Sequence, residues 1–276
     1  MPDAAISRMP TGISSLDPVF DGGVPAGSMI LLLGDAGAGS YEFVYSSLAN
    51  ILKQKREGTA TPPIVFPEEI NYITFTRLQD DVRKEIAQSF NPDFTGDIAS
   101  QVRFSDLSES YFDLSVVPHN WYSSTDIVTR LHQRSGHEHL LAQLSKILDA
   151  AQPGSLFVFD SITDIATRCS AADHWQTMAG FLRGLQRASK RWGSTSYLLL
   201  TRGILDTAKE NEISDIADAV MHFRWEETKG ERRQRVMYFD KFRGMMTHFE
   251  EKDIVRFKVR ISSDRGFDVE SIRVVI

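Results

Sequence analysis

The chain has 276 residues, of which 42% are hydrophobic and 25% charged, so it carries enough apolar side chain for a large core. Its formal net charge of −6 argues against broad, nonspecific nucleic-acid binding, and no apolar run approaches the ~20 residues that a membrane span needs. The first residues lack the basic start and apolar stretch of a signal peptide, and Cys169 is the only cysteine. We therefore expect a cytoplasmic protein with no membrane span and no intramolecular disulfide.

Strands and helices are predicted to alternate along most of the chain, which favours a parallel sheet with both faces covered. The predicted strands are Met29–Leu33, Ile70–Phe75, Val102–Phe104, Leu156–Asp160, Ser196–Leu200, Ala219–Trp225, Arg235–Asp240, Ile254–Ile261 and Phe267–Val269. The predicted helices are Tyr41–Lys53, Leu78–Phe90, His137–Ala150, Trp175–Arg191 and Ile213–Ala217. We expect one domain over residues 1–276, with the Gly-, Thr- and Pro-containing stretch 54–69 as a mobile loop.

The most informative motif is the octet GDAGAGSY, which directly follows the first long predicted strand. Its glycines are Gly34, Gly37 and Gly39. They permit a tight turn that directs backbone N–H groups at an anion, as in the phosphate-binding loop G-x-x-x-x-G-K-[ST]. Ser40 stands in the lysine position, however, and Tyr41 in the position of the magnesium-binding Ser/Thr. A lost charged hydrogen bond of ~1.5–3 kcal/mol predicts nucleotide binding weakened roughly ten- to a hundredfold. The alternative is a Gly/Ala-rich strand-to-helix turn without a ligand.

Three polar residues are predicted at the carboxyl ends of strands, the edge of such sheets where ligands gather. Asp160 ends a buried-looking apolar run, and an Asp in this place helps to hold Mg²⁺ in P-loop proteins. Arg77 and Arg202 each follow another predicted strand. Because a buried carboxylate is costly unless it is paired, we expect Arg77 to pair with Asp160, directly or through water.

Several segments together resemble the ATPase domain of KaiC-like and RadA-like proteins of the RecA superfamily. They are TGISSLD at 11–17, DGGVPAGS at 21–28, YFDKFRG at 238–244 and DRGFDV at 264–269. The resemblance covers nearly the whole chain and keeps the motif order. It implies an α/β fold: a RecA-like P-loop core, with a mainly parallel, twisted sheet flanked by helices and antiparallel strands at the C-terminal end.

The resemblance also implies roles for individual residues. In KaiC-like proteins the Lys and Arg of the K-x-R-G strand reach the nucleotide of a neighbouring subunit, which implies the same role for Lys241 and Arg243 in a ring- or filament-type homo-oligomer. The alternative is that both residues lie on an exposed strand without this role. Those proteins end the second core strand with a Glu pair, one member of which activates water, whereas this chain has Thr76 and Arg77 there. A shifted alignment that brings in Glu68 or Glu69 is the alternative, although both precede the strand.

These departures lead to one preferred hypothesis and two alternatives. We expect a RecA/KaiC-like protein with weak or no nucleotide hydrolysis that acts through protein partners in regulation or signalling. The alternatives are an active ATPase with substituted catalytic groups and a recombination-accessory protein that binds DNA. The loop outline admits ATP or ADP as ligand, while Mg²⁺ is expected to bind weakly or not at all. No catalytic residue and no metal ligand is assigned. His137 and His139 resemble a metal-binding pair, but side chains two residues apart on a helix point about 200° apart and cannot hold one ion well.

Overall fold

The computed structural model describes residues 6–58, 61–113, 115–122, 140–228, 232–247 and 256–272. The strands are β1 (Arg8–Met9), β2 (Val24–Pro25), β3 (Met29–Gly34), β4 (Ile70–Thr74), β5 (Val102–Asp106), β6 (Leu156–Asp160), β7 (Thr195–Thr201), β8 (Ala219–Thr228), β9 (Arg232–Phe242), β10 (Arg256–Ser262) and β11 (Gly266–Ile272). The helices are α1 (Ser40–Glu57), α2 (Gln79–Ser89), α3 (Pro92–Thr95), α4 (Ile98–Gln101), α5 (Ser108–Phe112), α6 (Leu140–Ala150), α7 (Ile162–Arg168), α8 (Ala172–Trp192) and α9 (Thr207–Ile216), with 3₁₀ turns at Asp17–Phe20 and His119–Trp121.

A nine-stranded sheet forms the centre of the molecule, in the order β11-β10-β9-β8-β3-β7-β6-β4-β5. The six strands from β8 to β5 pair in parallel, and β8, β9, β10 and β11 pair with one another in antiparallel fashion. The predicted fold class, a mainly parallel sheet with antiparallel C-terminal strands, is therefore confirmed.

The central strands β3, β4 and β6 are buried along their whole length, which shows that both faces of the sheet are covered. One face packs against α1 and α2, with Leu48 and Val82 fully buried there. The other face packs against α6 and α8, where Leu144 and Met178 are fully buried. Because helices cover both faces, polar side chains gather where the parallel strands begin and where they end.

The predicted strands all exist, with ends that differ by a few residues, whereas the helices differ more. Helix α1 continues to Glu57, so residues 54–57 of the predicted loop are helical. The mobility of the rest of that stretch stays a prediction. The short helices α3, α4, α5 and α7 and the two-stranded β1–β2 sheet were not predicted, and residues 137–139 and 254–255 lie outside the described residues.

Candidate functional site

The predicted site residues converge at one edge of the sheet, the carboxyl ends of the parallel strands. The octet runs from the last residue of β3 into the first turn of α1, Arg77 follows β4, Asp160 is the last residue of β6, and Arg202 follows β7. Within the octet Gly37 and Gly39 adopt φ values of +71° and +113°, a conformation that other residues rarely take. The loop therefore has the tight turn that its glycines predict.

The carboxylate of Asp160 lies at the centre of a polar network. It is buried, with 1% of the residue exposed. Its Oδ2 accepts hydrogen bonds from the Tyr72 hydroxyl at 2.7 Å and from Arg77 Nη1 at 3.1 Å. Its Oδ1 accepts a hydrogen bond from the Tyr41 hydroxyl at 3.1 Å. The expected contact between Arg77 and Asp160 is thus present and direct, and two tyrosines share the carboxylate with it.

A second carboxylate extends this network outward. Arg77 also pairs with Glu85 of α2, which accepts a hydrogen bond from the Tyr45 hydroxyl at 2.9 Å. The Arg77 guanidinium lies 5.9 Å from the centre of the Tyr41 ring. One cation therefore links two carboxylates and lies beside a tyrosine of the octet.

Burial governs the protonation of these groups. Burial raises the pKa of Asp160, while Arg77 and the Tyr72 and Tyr41 hydroxyls act in the opposite direction. Burial also raises the pKa of Tyr41, Tyr45 and Tyr72, and the nearby Asp160 charge raises it further. The three phenols therefore stay protonated and act as hydrogen-bond donors.

Charged side chains from β8 and from the residue after β7 hold the octet in place. Asp35 pairs with Arg224 of β8 at 3.1 Å and with Arg202 at 3.4 Å, and it accepts the backbone N–H of Trp225 at 3.2 Å. Burial alone would raise the pKa of Asp35, but the Trp225 N–H and the two arginines lower it. Arg202 therefore contacts a carboxylate of the octet.

Two further side chains bind carbonyl oxygens of the octet. The indole N–H of Trp225 donates to the Ala36 carbonyl at 3.1 Å, and Arg235 Nε donates to the Gly37 carbonyl at 3.0 Å. The guanidinium groups of Arg233 and Arg235 lie 5.0 and 4.5 Å from the Trp225 ring. Arg235 therefore contacts the octet directly, and Arg233 contacts it through the Trp225 ring.

Lys241 and Arg243 lie at the opposite edge of the sheet. Lys241 pairs in register with Val220 of β8, and its ammonium donates to the backbone carbonyls of Ser214 and Asp215 at the end of α9. Arg243 also donates to the Asp215 carbonyl, at 2.8 Å. From this edge neither side chain reaches the octet of its own chain, so a role at a nucleotide requires a neighbouring subunit and stays a prediction.

Glu68 and Glu69 precede β4, so they lie at the amino edge of the sheet, where the parallel strands begin and where Lys241 and Arg243 also lie. The backbone N–H of Glu68 donates to the Gly154 carbonyl just before β6. Neither residue is near Asp160. The shifted alignment that would make one of them a base is therefore wrong.

Sequence reasoning named Tyr41 but missed Tyr45 and Tyr72, although their spacing carried a signal. Tyr41 and Tyr45 are four residues apart on α1, so they lie on one face of the helix. Tyr72 has an even spacing from the end of β4, which places it on the same side of the sheet as Asp160 in the adjacent β6. Asp35 could not be linked to Arg224 from sequence, because only the pairing of β3 with β8 brings them together.

The residues present do not fit a magnesium-bound nucleotide. Mg²⁺ takes oxygen ligands in a nearly octahedral arrangement, and a P-loop supplies a short hydroxyl and a lysine beside it. Here Ser40 is buried, Tyr41 directs its hydroxyl at Asp160, and both oxygens of Asp160 already accept hydrogen bonds. The Arg77 cation would also repel a metal ion at the same carboxylate. Within the described residues no group of His, Cys, Asp or Glu side chains has the arrangement of a metal site.

Comparison with known proteins places the chain in a family. It is similar in structure to a KaiC-like protein from the hyperthermophilic archaeon Pyrococcus horikoshii, with a TM-score of 0.58 and 18% sequence identity over 96% of this chain and 99% of that one. A search of curated proteins found no match. No helix of the described residues is long and apolar enough to cross a membrane. The sequence model of the KaiC ATPase family matches residues 9–261, and the chain therefore belongs to the KaiC family.

Proposed function

We propose that this chain is a catalytically degenerate member of the KaiC family, which hydrolyses nucleotide weakly or not at all and acts through protein partners in regulation or signalling. The observation that carries the proposal is the engagement of Asp160 by Arg77, Tyr41 and Tyr72. These groups occupy the positions around a carboxylate that would otherwise help to hold a metal ion.

The chemistry of hydrolysis supports the same conclusion. Phosphoryl transfer depends on groups that stabilise the charge of the transferred phosphate and on a group that orients the attacking water. The loop lacks its lysine, and a cation follows β4 where the family has its water-activating Glu. The Arg77–Asp160 pair provides a counter-charge inside the protein, so the site is electrostatically satisfied without a ligand.

Titration calorimetry with ATP and ADP, each with and without Mg²⁺, tests the proposal. We expect binding weaker than about 100 µM that changes little with Mg²⁺, because the lysine and the metal-binding hydroxyl are missing. Phosphate release at saturating Mg-ATP should stay at the background rate. Micromolar, Mg-dependent ATP binding, or turnover that an Arg77→Ala substitution abolishes, would instead support the active ATPase with substituted groups.

The partner class is proposed to be protein, either another protein or further copies of this chain in a ring or filament. The acidic net charge supports this over nucleic acid. Salt-sensitive retention of single-stranded DNA would support the DNA-binding alternative. A cytoplasmic location is part of the proposal and is supported by the single cysteine, which is a buried free thiol.

A further inference from the structure

An open cavity of about 750 Å³ lies between α6 and α8, on the face of the sheet away from α1. Its apolar lining consists of Leu148, Phe181, Leu185 and Trp192. The cavity lies by the C-terminal ends of the two helices, close to the starts of β6 and β7. It therefore belongs to the amino edge of the sheet, opposite the Asp160 site.

The cavity exists because α8 carries small residues where it faces α6. Gly184 and Ala188 line it, together with Ser145 of α6. A Cβ atom built on Gly184 would meet no heavy atom within 4 Å, so this part of the space is open. Leu148 and Leu185 are buried beneath it and form an apolar floor. A volume of this size lies within the range of about 300–1,000 Å³ that small-ligand sites occupy.

The rim of the cavity is cationic. Three basic residues line it, Arg187, Lys190 and Arg191, against one acidic residue, Asp149. Lys190 is already paired with Asp218 at 2.9 Å. In the part of the chain that the structure describes, Arg187 and Arg191 have no ion-pair partner, and both are exposed. An apolar floor beneath two such guanidinium groups is complementary to a ligand with an apolar body and one negative charge.

We propose that this cavity binds a small amphipathic anion, with its apolar body on the floor and its carboxylate or sulfonate on Arg187 and Arg191. The proposal does not depend on the proposed function of the Asp160 site. It assigns a second, separate ligand site to the protein.

The test uses 8-anilinonaphthalene-1-sulfonate, an apolar dye with one sulfonate, in fluorescence titrations of the full chain. Gly184→Leu fills the cavity, and we expect it to weaken dye binding at least about tenfold. Gly180→Leu is the matched control, since Gly180 lies one turn earlier on α8, also has open space for a Cβ atom, and does not line the cavity. Dye binding that survives Gly184→Leu, or that both substitutions abolish, would overturn the proposal.

Competition by octanoate and by 1-octanol then tests the charge. Octanoate should displace the dye at a lower concentration than 1-octanol, and Arg187→Ala with Arg191→Ala should weaken octanoate about five- to tenfold while leaving 1-octanol unchanged. Equal displacement by the two compounds would contradict the role of the arginines. Because Arg191 also stabilises the end of α8, thermal unfolding of each variant is measured alongside.

Discussion

At the residue scale, the stability of the candidate site depends most on the charge balance around Asp160. The side chain of Asp160 is 1% exposed and that of Arg77 is 28% exposed, so the pair is largely shielded from water. Removing one partner of a buried pair leaves an uncompensated charge, which costs far more than the net contribution of the intact pair. The Tyr72 and Tyr41 hydroxyls reduce this cost but carry no charge.

Arg77→Ala should therefore lower the free energy of unfolding by about 2–4 kcal/mol at neutral pH, somewhat less than for a fully buried pair. Chemical denaturation measures this value. Lys84→Ala is the control on the following helix α2, since Lys84 makes only an exposed ion pair with Asp81, and it should change stability by less than about 1 kcal/mol. A similar loss in both variants would contradict the role assigned to Arg77.

The pH dependence of Arg77→Ala follows from the pKa of Asp160. Burial raises this pKa and Arg77 opposes the rise, so removal of Arg77 moves the pKa further up. The folded variant then binds a proton more tightly than the unfolded chain does, and its stability falls as pH rises through the folded-state pKa. The stability deficit relative to the native protein should be larger at pH 8 than at pH 5. Asp160→Asn in the same variant should remove this dependence.

At the element scale, the proposed weakness of nucleotide binding depends on the octet and the first turn of α1. Ser40→Lys with Tyr41→Thr restores the loop pattern and releases Oδ1 of Asp160. We expect ATP affinity to rise about ten- to a hundredfold in calorimetry, because a charged donor to phosphate is regained.

Hydrolysis by this double variant should stay near background, since Arg77 still pairs with Asp160 and Thr76 and Arg77 stand where the resemblance to KaiC-like proteins implies a Glu pair. Ser40→Met with Tyr41→Thr is the matched control, because it supplies a long side chain without the charge. Rapid phosphate release by the Lys variant would show that Arg77 does not block catalysis.

The hairpin of β10 and β11 is anchored on α1 through Gly266 and Phe267. The Phe267 N–H donates to the Ser46 hydroxyl at 2.7 Å, and a Cβ atom on Gly266 would lie 2.4 Å from that oxygen. Gly266 also has a φ of +74°. A side chain here is strained in its backbone and also collides with Ser46 of α1 and with the Phe94 ring of α3.

Gly266→Ala should therefore cost about 2–4 kcal/mol, of which roughly 1–2 comes from the left-handed backbone and the rest from the collision. Gly193→Ala separates the two terms, since Gly193 has a φ of +66° and open space around it. Thermal and denaturant unfolding of both variants check the difference. Equal losses would mean that the collision with Ser46 and Phe94 contributes nothing.

The long elements were predictable from sequence, and the short ones were not. β3 and β6 are continuous apolar runs, whereas α3 and α4 have four residues each and too few turns to show a period. Asp160 and Arg77 could be paired by charge and by their positions at strand ends. Asp35 pairs with Arg224, which lies 189 residues away along the chain, so no local sequence pattern could predict that contact.

At the scale of the whole molecule, the sheet separates two polar edges. The octet and Asp160 lie at one edge, and Lys241 and Arg243 lie at the other, bound to the end of α9. Head-to-tail packing would bring the second edge of one subunit against the first edge of the next. Contacts of this heterologous kind close into rings or continue as filaments.

If the chain assembles in this way, light scattering at high protein concentration should give a mass above that of the monomer, and Lys241→Ala with Arg243→Ala should reduce it. The same substitutions remove donors to the α9 carbonyls, so a loss of about 1–2 kcal/mol in stability is expected as well. Arg260→Ala, an exposed cation paired with Glu270, is the control. A monomer at all concentrations, with and without ATP, would contradict the assembly.

The contact of Trp225 with the octet makes movement of the loop measurable by tryptophan fluorescence. An indole that donates its N–H to the Ala36 carbonyl and lies against two guanidinium groups will change its emission when the loop moves. The chain has four tryptophans, so Trp225→Phe supplies the spectrum to subtract. Stopped-flow mixing with nucleotide or a partner protein would then record the rate of loop rearrangement without any attached label.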